Sequence, residues 1–162
     1  MKRPFTLWIL VFWLLLLALG GLYGGIAMLL DPTGGILQMQ SVLPYLLVPN
    51  YILPGLFLLF VMGLFPLVLV YALIARPHWT RLDALVAQFK HDWAWTATVG
   101  LALLLMGWLV VQAILMGFTW AIQYITAFTG LCILIFALVP PVERYYRKPD
   151  ARAQNTPSVS GR

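Results

Sequence analysis

The sequence predicts an all-α fold, a polytopic membrane protein with four transmembrane helices in an antiparallel bundle. Three observations carry this. Hydrophobic residues make up 62% of the 162-residue chain and charged residues only 9%, against about 45–50% and roughly 25% in soluble domains. The mean hydropathy of +0.92 also excludes disorder, which needs low hydrophobicity and high charge. Finally, the ten Lys and Arg residues fall in three clusters separated by long uncharged runs.

About 20 apolar residues, rising 1.5 Å each, cross the hydrocarbon. Helices are therefore expected at about 5–30, 51–75, 93–116 and 120–139. Four crossings bring Lys2 and Arg3, then Arg76, Arg81 and Lys90, then Arg144, Arg147, Lys148, Arg152 and Arg162 to one side. The positive-inside rule makes that side the cytoplasm, so both termini are expected inside. Loops 31–50 and 117–119 hold no Lys or Arg, and an odd number of crossings would spoil that asymmetry. A rival reading takes Met1-Lys2-Arg3 and the run to Gly20 as a cleaved signal peptide. The apolar run continues to Leu30, however, and cleavage would strand the positive loop outside.

Helix one carries Gly20, Gly21, Gly24 and Gly25 near its outer end, overlapping small-xxx-small pairs that suit close packing in lipid. Packing within the chain is the plainer use; a homodimer is the other. Loop 31–50 opens with Asp31-Pro32-Thr33-Gly34-Gly35, which is turn chemistry. Its remainder is uncharged and largely aliphatic, with Pro44 and Pro49 before Pro54. It is expected to cap the outer mouth of the bundle, with a helical turn or two in 36–43; a moving lid is the second reading. Gly63 and Pro66 predict a kink in helix two.

On the inner side, Thr80 and Asp83 have capping-box spacing. Leu82, Leu85, Val86, Phe89 and Trp93 repeat at helical period, which predicts an amphipathic helix over 80–92 lying on the leaflet. Helix three has Gly100 and Gly107 seven apart, and helix four lines up Gln123, Ala127, Gly130 and Ala137; both stripes are expected to face inward. Residues 1–146 read as one transmembrane domain. The polar tail 147–162 has too little apolar surface to fold and is expected to be disordered.

The charge of +5 does not call for nucleic acid, since no basic helix with interleaved aromatics is present. Cations flanking helices attract anionic headgroups, at about 1 kcal/mol each. Trp and Tyr near helix ends fit an interfacial belt.

The residue inventory excludes most chemistries in turn. Cys132 is a lone thiol and cannot form a dithiol pair. His78 and His91 have no Cys or Glu at metal-ligand spacing, so no metal or cofactor is expected. No nucleophile–base pair is visible, which argues against an enzyme. No Asp, Glu, Lys, Arg or His lies in the core of any predicted helix. Small multidrug exporters also have four helices but depend on an intramembrane Glu, so proton antiport is disfavoured. The remaining polar residues, Asp31, Asn50, Gln112, Gln123 and Tyr124, gather toward the outer side and could line a pocket. The plainer reading makes Gln112 and Gln123 interhelical glue.

Four segments resemble a group of small bacterial four-helix inner-membrane proteins whose activity is uncharacterised. They are residues 20–35, ending Leu-Leu-Asp-Pro-Thr-Gly-Gly; Asn-Tyr-Ile-Leu-Pro-Gly-Leu at 50–56; Gly-Trp-Leu-Val-Val-Gln at 107–112; and Gly-Phe-Thr-Trp-Ala-Ile-Gln at 117–123. The resemblance covers most of 20–125 and implies a topology and a bacterial inner membrane. It also implies Glu or Gln at position 112, and it brings no activity. The leading expectation is a non-catalytic accessory protein packing against lipid, another membrane protein or a second copy of itself. The alternative is a binding or transport protein for an uncharged or lipid-like ligand in the outer pocket.

Overall fold

A computed structural model describes residues 3–45, 48–77, 79–86, 91–117 and 120–147. The predicted tail from 148 onward and residues 87–90 of the expected amphipathic helix lie outside the described residues. The fold is helical, with no strand among the described residues. Four helices are long and apolar enough to cross a membrane, as in a multi-pass membrane protein. They are α1 (Phe5–Leu30), α2 (Ile52–Ala75), α4 (Trp93–Met116) and α5 (Ala121–Leu138). Two short helices, α3 (Thr80–Leu85) and α6 (Pro140–Tyr146), lie between α2 and α4 and after α5.

The bundle is a ring. Helix α1 packs against α2 and α5, and α4 packs against α5 and the second half of α2. Leu7, Leu10, Leu14, Leu69, Leu73, Leu101, Leu105 and Ile133 fill the middle. In lipid the close approach of backbones, rather than hydrophobicity, drives such packing. Gly21 and Gly25 supply it: a Cβ on Gly21 would collide with the Met62 carbonyl, and one on Gly25 would lie 2.6 Å from the Leu59 backbone nitrogen. Gly63 and Gly55 receive Leu22 and Met28 in return.

The other glycines divide. Gly130 of α5 lies against Leu105 and Met106 of α4, as expected. Gly100 and Gly107 do not face inward: both are exposed, with open space where a side chain would stand. The reason is rotational. Thr98, Leu101, Ala102, Leu105 and Leu109 occupy the inward stripe of α4, so the glycine stripe is left on the outside. Gly20 likewise points away from the chain, and Gly24 makes only ordinary contact with Leu58.

Just before Pro66, residues Leu58–Leu64 of α2 widen into a π-helical stretch. Proline lacks the N–H that the carbonyl four residues back needs, and a π-bulge is one way to absorb that mismatch. The expected helix over 80–92 ends earlier, at Leu85. Trp79, not Thr80, is its N-cap, without a side-chain cap bond. The turns expected over 36–43 form slightly later, as a 3₁₀ turn at Gln40–Tyr45. Helix α6 was not foreseen, although Pro140 in its first turn is a usual helix start.

Candidate functional site

The five outer polar residues do not form one pocket. Asp31 builds its own turn. Its Oδ1 accepts hydrogen bonds from the Thr33 backbone N–H (3.0 Å) and Thr33 hydroxyl (2.6 Å), and its Oδ2 accepts one from the Ile36 N–H (3.0 Å). These bonds, led by the Thr33 hydroxyl, hold its carboxyl below the usual range. Asn50 Oδ1 accepts the Ile52 N–H at 3.1 Å and so starts α2. Gln123 is buried and starts α5. Its Oε1 accepts the Trp120 N–H at 3.0 Å and its Nε2 donates to the Gly117 carbonyl at 3.1 Å. Tyr124 is exposed. Three of the five therefore terminate backbone, where polar groups are otherwise orphaned.

Gln112 is different. It lies on a cavity of about 410 Å³ between the first half of α2 and the second half of α4. The cavity exists because those halves diverge, whereas the second half of α2 packs on α4. The rings of Phe57 and Trp108, centroids 4.6 Å apart and planes tilted by 34°, bridge the gap. Leu53 and Leu58 of α2 form one wall, Val111 and Leu115 of α4 the other, with Met28 of α1 behind. Met39 and Val48 of the loop between α1 and α2 form its roof.

Sequence reasoning found the loop but not its fastening. Tyr51 is buried, its hydroxyl donates to the Met39 carbonyl at 2.7 Å, and its N–H bonds the Pro32 carbonyl at 3.0 Å. Burial also pushes the Tyr51 hydroxyl up from its ordinary pKa. Gly34 sits against the Tyr51 ring with φ +81, where a Cβ would come within 2.6 Å of the ring. Only glycine meets both demands. The hydroxyl of Tyr51 is thus committed. The other polar groups of the lining are the Trp108 indole N–H and the Gln112 amide, and the amide makes no hydrogen bond within the described residues.

The opposite end of the bundle is knit by prolines. A proline frees the carbonyl four residues before it, and here other elements take those oxygens up. Pro77 frees Leu73, whose carbonyl accepts the Tyr146 hydroxyl at 2.6 Å. Pro141 frees Ala137, whose carbonyl accepts the Trp95 indole N–H at 2.8 Å. Arg3 donates to the Ile74 carbonyl at 3.1 Å. Arg76 donates to the Tyr145 carbonyl and lies over the Tyr145 and Tyr146 rings, 3.8 and 4.5 Å from their centroids. Burial pushes the Tyr146 hydroxyl up to about 12. Glu143 meets His91 at 3.3 Å and Arg147 at 3.2 Å. Arg3, Arg76 and Arg147 are therefore gathered at one end.

No family model, curated protein or solved structure matches the chain.

Proposed function

We propose that the chain is a multi-pass protein of a bacterial inner membrane, threaded as an antiparallel bundle with both termini inside. In its outer half it holds the apolar body of an uncharged, lipid-like molecule between α2 and α4, with Gln112 meeting the molecule's polar end. One observation carries this reading: the cavity is apolar apart from the Gln112 amide, which makes no hydrogen bond within the described residues, the Trp108 indole N–H and the committed Tyr51 hydroxyl. Sites for small ligands combine such a wall with a few placed polar groups. A neutral amide offers both donor and acceptor without the burial penalty of a charge. Entry from the bilayer follows from the place of the cavity, between two helices that span it. The reading is non-catalytic. The gathered arginines support the inside orientation of the termini.

Monoolein, an uncharged lipid with ester and hydroxyl groups, is the probe. The protein in maltoside micelles is expected to retain it, and Gln112→Leu to weaken retention about three- to tenfold, the scale of one hydrogen bond. Leu53→Trp fills the cavity and is expected to abolish retention. Equal retention by all three proteins would refute the site.

An accessory role beside another helix, or a second copy, has one observation in its favour. Gly100 and Gly107 leave a smooth outward face on α4, and such faces allow close helix contact in lipid. Single cysteines at those positions in a Cys132→Ser background are expected to cross-link only if this face is used.

A further inference from the structure

A second, smaller cavity of about 150 Å³ opens where α2 ends and α4 begins, at the end that carries the arginines. Ala72, Pro77 and Ala94 leave the space, and Tyr146 closes one side. Arg76 and Asp92 both line it, yet no ion pair joins them among the described residues. Other contacts hold the Arg76 guanidinium and the Asp92 backbone. The Arg76 guanidinium is pinned on Tyr145 and Tyr146, with N–H donors to spare, since the group has five. Arg76 also holds φ 49, a left-handed backbone that a non-glycine residue rarely adopts. The Asp92 backbone N–H bonds the Tyr146 carbonyl at 2.9 Å, while its carboxylate accepts no hydrogen bond within the described residues.

Two opposite charges on one cavity, not paired with each other among the described residues, define its guest. It must offer an anion to Arg76 and a hydrogen-bonding cation to Asp92 at once. Phosphate suits the guanidinium fork, and a primary ammonium suits a carboxylate. The rings of Trp79 and Trp93, stacked 5.1 Å apart, and of Tyr145 beside the site set it at the level of lipid headgroups. We propose that this cavity binds the phosphate–ammonium headgroup of an ethanolamine phospholipid. A purely anionic headgroup would leave Asp92 facing negative charge. A choline headgroup has no N–H to give it.

The test titrates delipidated full-length protein with dioleoyl phosphatidylethanolamine, phosphatidylcholine and phosphatidylglycerol, read by native mass spectrometry. The ethanolamine lipid is expected to bind about tenfold more tightly than either of the others. Asp92→Asn, which keeps the backbone bonds of the helix start, is expected to bring the ethanolamine lipid down to the choline level and to leave the glycerol lipid no weaker. Equal binding of the ethanolamine and choline lipids by the unaltered protein would overturn the proposal, as would an undiminished preference in Asp92→Asn. Soluble O-phosphoethanolamine is expected to leave bound lipid in place; displacement at equal concentration would overturn the lipid assignment in favour of a free phosphate ester.

Discussion

Gln112 and Gln123 look alike in the sequence, both uncharged amides near the helix ends away from the arginines, and they do opposite things. Gln123 closes backbone at the start of α5. Its replacement by Leu is expected to lower stability by about 1 kcal/mol, the size of a lost cap, and to leave lipid retention intact. Gln112→Leu removes an unpartnered polar group and is expected to leave the melting temperature in detergent unchanged. A loss of stability in Gln112→Leu would mean that it is glue after all. Asp31 gives a pH dependence whose sign follows from its lowered pKa. Its support for the turn is present above about pH 4, the ordinary aspartate value, and is lost as pH falls through the folded value. Hydrogen-exchange protection of the Thr33 and Ile36 amides should follow that course, and Asp31→Asn should flatten it. The turn chemistry of Asp31 was legible in the sequence; the partner of each glutamine was not, because composition does not say which amide meets freed backbone and which meets a cavity.

At the scale of elements, the glycine stripes test the packing. Gly21→Leu places a side chain into the Met62 backbone and is expected to destabilise the bundle by about 1–3 kcal/mol, as overpacking does. Gly100→Leu points into open space and is expected to be neutral or slightly stabilising, since glycine is a poor helix former. Both are read from thermal unfolding in detergent, and equal effects would contradict the observed rotation of α4. The four long helices were legible because hydropathy integrates over about 20 residues. Rotation about a helix axis was less so, since apolar residues cover every face of a lipid-facing helix and the inward side carries little signal. The short helices were hardest. Helix α6 is held by bonds that no local pattern shows, above all Tyr146 to the Leu73 carbonyl. The clue was the prolines, which mark carbonyls that some other element must satisfy. Tyr146→Phe is expected to cost about 1 kcal/mol.

At the scale of the whole molecule, one end of the bundle is rich in arginine and aromatic rings and the other is closed by an apolar loop. The two halves of α2 explain the difference. Its second half packs on α4, and its first half, past the π-helical stretch at Leu58–Leu64, diverges from it and is bridged to it by the rings of Phe57 and Trp108. The membrane class was legible from composition alone, and the threading was expected from ten charges. The cavity was not legible, because it arises from the divergence of two helices rather than from any residue. Its main walls are leucine, valine and proline, which read as ordinary lipid-facing positions. The threading is checked with single cysteines at Gly35 and Arg81 in a Cys132→Ser background. A membrane-impermeant maleimide applied to intact cells is expected to label the first and spare the second; the reverse pattern would invert the bundle.

The central claim is that the space between α2 and α4 holds a lipid-like molecule. A native mass spectrum of the protein, taken from its own membrane in mild detergent, addresses it most directly. Beside any ethanolamine phospholipid held at the Arg76–Asp92 cavity, the unaltered protein is predicted to carry an adduct with the mass of an uncharged lipid, which Val111→Trp, a cavity-filling change at an exposed position, loses. A bare protein in both spectra, or the same adduct retained by Val111→Trp, would contradict it.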